Sequence, residues 1–165
     1  MIRALNLGCG QRPVPQHLNV DLRPGPGVDF VWDLEQYPWP WETGSIERIR
    51  ASHVFEHIIG FDPFWSEIYR VLCPGGLVHA WVPYGIHGWA NDPYHMHPWT
   101  ERTLDRLCGG SNTCLLDQGR KFRIAHVRII GNGFPWWHLA NHLDYRPKPP
   151  LKRWRYEMEF VMEKI

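Results

Sequence analysis

Apolar positions in the first half of the chain fall in short blocks that end at a glycine or an acid. "ALNL" (4–7) runs into Gly8-Cys9-Gly10 and predicts a buried strand opening into a glycine turn. "LNVDL" (18–22) and "VDFVWDL" (28–34) predict a second and a third strand, each ending in an acid. "IERIRAS" (46–52) alternates well enough for a fourth. The period then changes. In "DPFWSEIYRVL" (62–72) the residues Phe64, Trp65, Ile68, Val71 and Leu72 recur at helical spacing, with Asp62 as the predicted N-cap and Pro63 at the first helical position. "CPGG" stops that helix, and "LVHAWVP" (77–83) predicts a fifth strand. "TERTLDRL" (100–107) predicts a short amphipathic helix capped by Thr100. "FRIAHVRII" (122–130) and "WRYEMEFVME" (154–163) alternate as two long closing strands. Strands separated first by turns and then by helices, with a final strand pair, predict an α/β fold whose sheet is mostly parallel with an antiparallel C-terminal hairpin.

The 165 residues suit a single domain, residues 1–165, with a substantial core. A net charge of +1 gives no global field toward nucleic acid or membrane. No stretch approaches the ~20 apolar residues of a membrane span, and the start does not read as a signal peptide. A cytoplasmic location is therefore expected, with Cys9, Cys73, Cys108 and Cys114 as thiols, since no C-x-x-C pair occurs.

The most informative constellation is Gly8-Cys9-Gly10 after the first strand, Asp21 after the second and Asp33 after the third. In an open α/β sheet, ligands bind beyond the carboxyl ends of the strands. Glycines let the backbone approach a ligand closely. A carboxylate ending the next strand can accept both ribose hydroxyls, and a further acid can accept from an adenine amino group.

On "LNLGCG", "LNVDL", "DFVWDL", "IRASHVFEHI" and "EIYRVLCPGGLVHAWVP", in that order over about residues 3–85, the chain resembles the class I S-adenosylmethionine-dependent methyltransferases, especially the type 11 group. The resemblance implies a Rossmann-like three-layer sandwich and S-adenosylmethionine as methyl donor, with S-adenosylhomocysteine as product. It also implies a set of cofactor residues: Asn6, Gly8, Cys9 and Gly10 around the methionine part, Asp21 and Leu22 at the ribose, Asp33 and Leu34 at the adenine, and Ser52 and His53 toward the sulfonium and the acceptor. Three departures accompany it. Asn6 stands where the family has an acid, the third glycine of the fingerprint is missing, and only ten residues (8–17) separate the first two strands. The N-terminal helix and first two crossover helices are thus expected to be lost, leaving one sheet face poorly covered. Cover by the aromatic-rich loop 134–145, or by a second copy of the chain as a homodimer, is expected there.

"SHVFEH" holds His53-x-x-Glu56-His57, the spacing of one class of zinc peptidases. Such a site needs a helix presenting both histidines, whereas here a strand ends near Ser52 and Gly60 follows soon after, leaving roughly two turns. His53 is expected at the mouth of the site with His57 one turn deeper. A second group, His87, Asp92, His95 and His97, follows the fifth strand. Histidine titrates near neutrality, so His95 and His97 can supply a general base. They could equally bind a metal with His53 or His57, or only pack and cap a loop. The reading adopted takes His53, His57, His95 and His97 as catalytic candidates and assigns no metal site. The basic run "RPKPPLKRWR" (146–155) reads as solvated charge. The function expected is methyl transfer to oxygen or nitrogen of a small-molecule or saccharide acceptor. The alternatives are a non-catalytic S-adenosylmethionine-binding or scaffold protein and, less favoured, a metal-dependent hydrolase using His53, Glu56 and His57.

Overall fold

The computed structural model describes residues 3–85, 90, 92–109, 122–131 and 156–165. In chain order these form β1 (Ala4–Leu7), β2 (Leu18–Asp21), β3 (Phe30–Val31), β4 (Ile46–Ser52), a single 3-10 turn (Phe55–His57), α1 (Phe61–Val71), β5 (Leu72–Pro83), α2 (Glu101–Leu107), β6 (Phe122–Gly131) and β7 (Tyr156–Lys164). The seven strands make one sheet in the order β3-β2-β1-β4-β5-β7-β6. Strands β1 to β5 are mutually parallel. β7 inserts antiparallel between β5 and β6. This is the mostly parallel sheet with an antiparallel closing pair that the strand pattern predicts.

Register assigns each side chain to a face. On one face the rows Leu5–Ile49–Val78–Met162 and Leu7–Ala51–Ala80–Phe160 run across β1, β4, β5 and β7. These residues are fully buried and join Phe55, Phe64, Trp65, Ile68 and Val71, Trp99 and α2 residues Leu104 and Leu107 in one core. Aromatic rings fill it: Phe55 meets Trp65 edge-on at 5.2 Å, and Trp99 stacks on Phe160 at 5.6 Å. Both described helices serve this face.

The other face is polar. Its rows read Asn19–Asn6–Arg50–His79–Val161, Arg48–Leu77–Glu163–Arg123 and Ser52–Trp81–Glu159–Arg128. Arg50 lies over the Trp81 ring at 4.8 Å, and His79 Nε2 meets Glu159 Oε1 at 2.9 Å. No helix lies in the links 8–17 or 22–29, as their brevity predicts. The face they leave is thus surfaced with charge, which can face water without burial. Loop 134–145, expected as its cover, lies outside the described residues, as do Cys114, His87 and the whole basic run 146–155. Cys9, Cys73 and Cys108 form no disulfide.

A side-chain network replaces the missing crossover helices. Asn6 Nδ2 donates to Asn19 Oδ1 at 2.9 Å and to the Arg12 carbonyl at 3.3 Å, while Asn6 Oδ1 accepts from Arg50 at 3.1 Å. Asn19 Oδ1 also accepts from the Val14 amide at 2.7 Å, and its Nδ2 donates to Asp29 Oδ2 at 2.8 Å. The two short loops are therefore tied to the sheet by amides rather than by packed helices.

Element boundaries shift where such long-range partners intervene. β3 keeps only Phe30 and Val31 of the predicted 28–34, because Asp29 turns back to the Asn19 amide at 2.8 Å and Asp33 caps the Glu35 amide at 2.9 Å. α1 begins at Phe61 with Gly60 as N-cap, not Asp62. Glu35 Oε1 accepts the Ile59 and Gly60 amides at 2.9 and 2.8 Å, so the turn entering the helix is satisfied from a distant loop and Asp62 lies in the first turn. β5 begins at Leu72 rather than residue 77, since a bulge opposite Ile46 and Arg48 lets Leu72 pair before the Pro-Gly-Gly segment. α2 has the predicted Thr100 cap, completed by Thr103 as a capping box.

Candidate functional site

The carboxyl ends of β1, β2 and β4 converge on one edge of the sheet. After β1 the chain turns through Gly8 and Gly10, both left-handed at φ 60° and 52°. A Cβ on Gly8 would stand 2.3 Å from Val54 Cγ2, so only glycine fits beneath the 3-10 turn. A Cβ on Gly10 would meet nothing within 4 Å, so that glycine serves backbone conformation alone. The Gly10 amide donates to Asp21 Oδ2 at 2.8 Å and the Arg23 amide to Asp21 Oδ1 at 3.1 Å. One carboxylate thus bridges the turn after β1 and the end of β2. Beside it Leu22 is 59% exposed.

The other residues expected at the cofactor divide by depth. Asn6, Cys9 and Leu34 are buried. Asn6 is engaged by Asn19, Arg12 and Arg50, and burial followed by the nearby Asp21 charge pushes the Cys9 thiol up, which keeps it protonated. Asp33 is exposed, and Ser52 ends β4 half-buried.

His53 follows Ser52 in the left-handed region at φ 56°, an uncommon conformation for a side chain with a Cβ. Its amide donates to the Trp81 carbonyl at 2.9 Å. Its ring lies between two carboxylates: Nδ1 is 3.1 Å from Glu56 Oε1 and Nε2 is 3.3 Å from Glu157 Oε1. The Glu56 hydrogen bond is the largest influence; it raises the imidazole pKa above its ordinary value despite the opposing effect of desolvation, and Glu157 adds to the rise. A histidine raised from 6.5 is suited to hold or accept a proton near neutrality.

The H-x-x-E-H segment does not form the expected pair of helical turns. It makes one 3-10 turn, in which Glu56 is buried and His57 exposed, the reverse of the depth expected for His57. His53 and His57 take different partners: His57 Nδ1 faces the Tyr94 carbonyl at 3.2 Å. The segment after β5 comes back to this turn, with the Met96 amide donating to the Glu56 carbonyl at 2.6 Å. His95 then packs edge-on against His57 at 5.0 Å. His97 turns elsewhere, with Nε2 3.4 Å from the Ile59 carbonyl and its ring against Phe61. Asp92 caps the Tyr94 amide at 2.9 Å. The four candidate histidines therefore form a pair, His57 with His95, flanked by His53 and His97.

Sequence reasoning missed Glu157, which reaches His53 from β7. It carried no local signal, because the contact depends on β7 inserting beside β5 about a hundred residues later in the chain. Asn19 and Arg50 were missed because their partnership with Asn6 depends on the parallel register of β2, β1 and β4.

Residues 5–80 match the type 11 family model described as a methyltransferase domain. No curated protein sequence matches the chain. Among solved structures, an S-adenosylmethionine-dependent methyltransferase from Methanosarcina mazei aligns at TM-score 0.63 and 13% identity, over 99% of this chain and 92% of that one. Phosphoethanolamine N-methyltransferase 2 from Haemonchus contortus, in complex with S-adenosylmethionine, aligns at TM-score 0.56 and 15% identity, over 99% of this chain and 48% of that one. The cyclase SpnF aligns at TM-score 0.62 and 16% identity, over 99% of this chain and 74% of that one. At these identities the likeness is one of fold.

Proposed function

We propose, for a chain with the sequence motifs and Rossmann-like fold of the class I S-adenosylmethionine-dependent methyltransferases, that it transfers a methyl group from S-adenosylmethionine to oxygen or nitrogen of a small-molecule or saccharide acceptor. The observation that carries the reading is the bond from the Gly10 amide to Asp21 at 2.8 Å. It joins the glycine turn to a strand-ending carboxylate at the carboxyl edge of a parallel sheet, where nucleosides are held. The residues present fit the cofactor. Each Asp21 oxygen keeps a lone pair for a ribose hydroxyl, Leu22 offers an exposed apolar surface beside it, and Gly10 leaves room for close approach.

When bound, S-adenosylmethionine supplies a methyl group already activated by its sulfonium. The protein's task is then to position the acceptor and take its proton. His53 is the residue proposed for the proton, with Glu56 and Glu157 holding its ring and His57, His95 and His97 flanking the acceptor side. In its neutral form His53 keeps its Nδ1 proton on Glu56; as the methyl bonds to the acceptor, Nε2 takes the acceptor's proton, Glu157 steadies the imidazolium so formed, and S-adenosylhomocysteine leaves. A cytoplasmic location belongs to the same proposal; among the described residues no helix is long and apolar enough to cross a membrane.

A radiolabelled methyl donor tests this. Incubation with fractionated small-molecule extracts and defined alcohols, amines and saccharides is expected to label one acceptor class. His53→Ala is expected to lower kcat by about 100-fold or more, within the range for a general base, without weakening S-adenosylhomocysteine binding. One observation favours a second reading, cofactor binding without turnover: Asn6, standing where the family has an acid, is engaged inside the protein. Cofactor binding with no labelled product across the panel would support that reading over the first.

A further inference from the structure

We propose that Glu56, His57 and His95 bind one divalent transition-metal ion of the zinc class, with His53 orienting the Glu56 carboxylate. Donor atoms of these three residues lie within 4.8 Å of one another. Tetrahedral zinc with bonds near 2.0 Å sets its donors about 3.3 Å apart, so modest side-chain rotation closes the set. Two imidazoles and a carboxylate are a zinc-type donor combination, and three protein ligands leave one position open.

Two features argue for a built site. Glu56 is 1% exposed, and its Oε2 is buried with no hydrogen-bond partner among the described residues. A buried carboxylate oxygen without a partner is costly, and a cation would remove that cost. Its Oε1 is already held by His53 Nδ1 at 3.1 Å, the outer-shell arrangement that fixes a metal-binding carboxylate. The second feature is His57. Its Nδ1 lies 3.2 Å from the Tyr94 carbonyl, which can only accept, so Nδ1 carries the proton and Nε2 keeps the lone pair a metal needs. The Met96 amide bond to the Glu56 carbonyl at 2.6 Å then holds the 92–98 segment so that His95 stands beside His57.

This grouping differs from the peptidase spacing in the sequence, since His95 takes the place of His53 as ligand. Metal binding does not rest on the methyl-transfer reading; only use of the open position to hold an acceptor oxygen would.

The test is titration of the chelator-treated full chain with Zn2+ by calorimetry and with Co2+ by visible absorption. S-adenosylhomocysteine is titrated in parallel, so that failure of metal binding and failure of the methyl-transfer reading are separate results. One ion per chain is expected, with the visible bands of nitrogen and oxygen ligands. His57→Ala and His95→Ala should each weaken binding at least tenfold while the circular dichroism stays unchanged. His53→Ala should weaken it by about 10- to 100-fold, as for an outer-shell partner. His97→Ala should match the wild type, because its Nε2 is turned to the Ile59 carbonyl. No binding by the folded wild type, binding unaltered in both His57→Ala and His95→Ala, or near-ultraviolet thiolate bands from a cysteine site would each overturn the proposal.

Discussion

Gly8 and Gly10 sit two residues apart and have different reasons to be glycine. At Gly8 both the left-handed backbone and the 2.3 Å approach to Val54 forbid a side chain. Gly8→Ala should cost about 2–4 kcal/mol, combining left-handed strain with overpacking, and Val54→Ala should recover part of it in urea unfolding of the double variant. Gly10→Ala should cost only about 1–2 kcal/mol, the backbone part alone. Asp29 makes a prediction about pH. The Asn19 amide, and then its side chain, hold the Asp29 carboxyl below its ordinary value of 3.8. A depressed carboxyl contributes stability that is present above its unfolded pKa and is lost as pH falls through the folded one. Acid titration of Asp29→Asn should therefore show lower stability at neutral pH and a shallower loss below about pH 4.

Between elements, the decisive contact is the pair on α1. Glu67 accepts the Trp39 amide at 2.7 Å and two bonds from Arg70, while Arg70 reaches the Trp39 and Trp41 carbonyls at 3.1 and 2.9 Å. One helix face thus holds the irregular segment 39–43 against Phe64. Glu67→Ala removes the acceptor, leaves the Trp39 amide unpaired and should cost about 2–4 kcal/mol, measured by urea unfolding. The elements most legible in the sequence were those whose partners are local or repetitive. β1, β2, β4 and α2 lie within a residue of their predicted bounds, because alternation or a Thr cap describes them fully. β3 and the start of α1 departed, because Asp29, Asp33 and Glu35 spend their carboxylates on distant or turn amides. β5 departed because a bulge let a glycine-rich segment join the sheet.

For the whole molecule, the two sheet faces answer different constraints. The covered face is an aromatic core, in which Trp65→Ala should cost about 3–5 kcal/mol by the usual cavity penalty. The face without described helices is made compatible with water by Arg48, Arg50, His79 and Glu159. Those residues were visible in the sequence as alternation; the cover expected on that face involves loop 134–145, outside the described residues, or a second copy. The glycine turn and the strand-ending acids at the sheet edge were legible because they are local signals. The environment of His53 was not, since Glu157 arrives through strand insertion. The central claim is that Asp21 and the glycine turn hold S-adenosylmethionine. Calorimetric titration with S-adenosylhomocysteine tests it most directly, comparing the wild type with Asp21→Ala. The account predicts binding by the wild type and a loss of at least about tenfold in the variant, the worth of charge-assisted hydrogen bonds, with circular dichroism unchanged. A folded wild type that does not bind, or a variant that binds equally well, would contradict it.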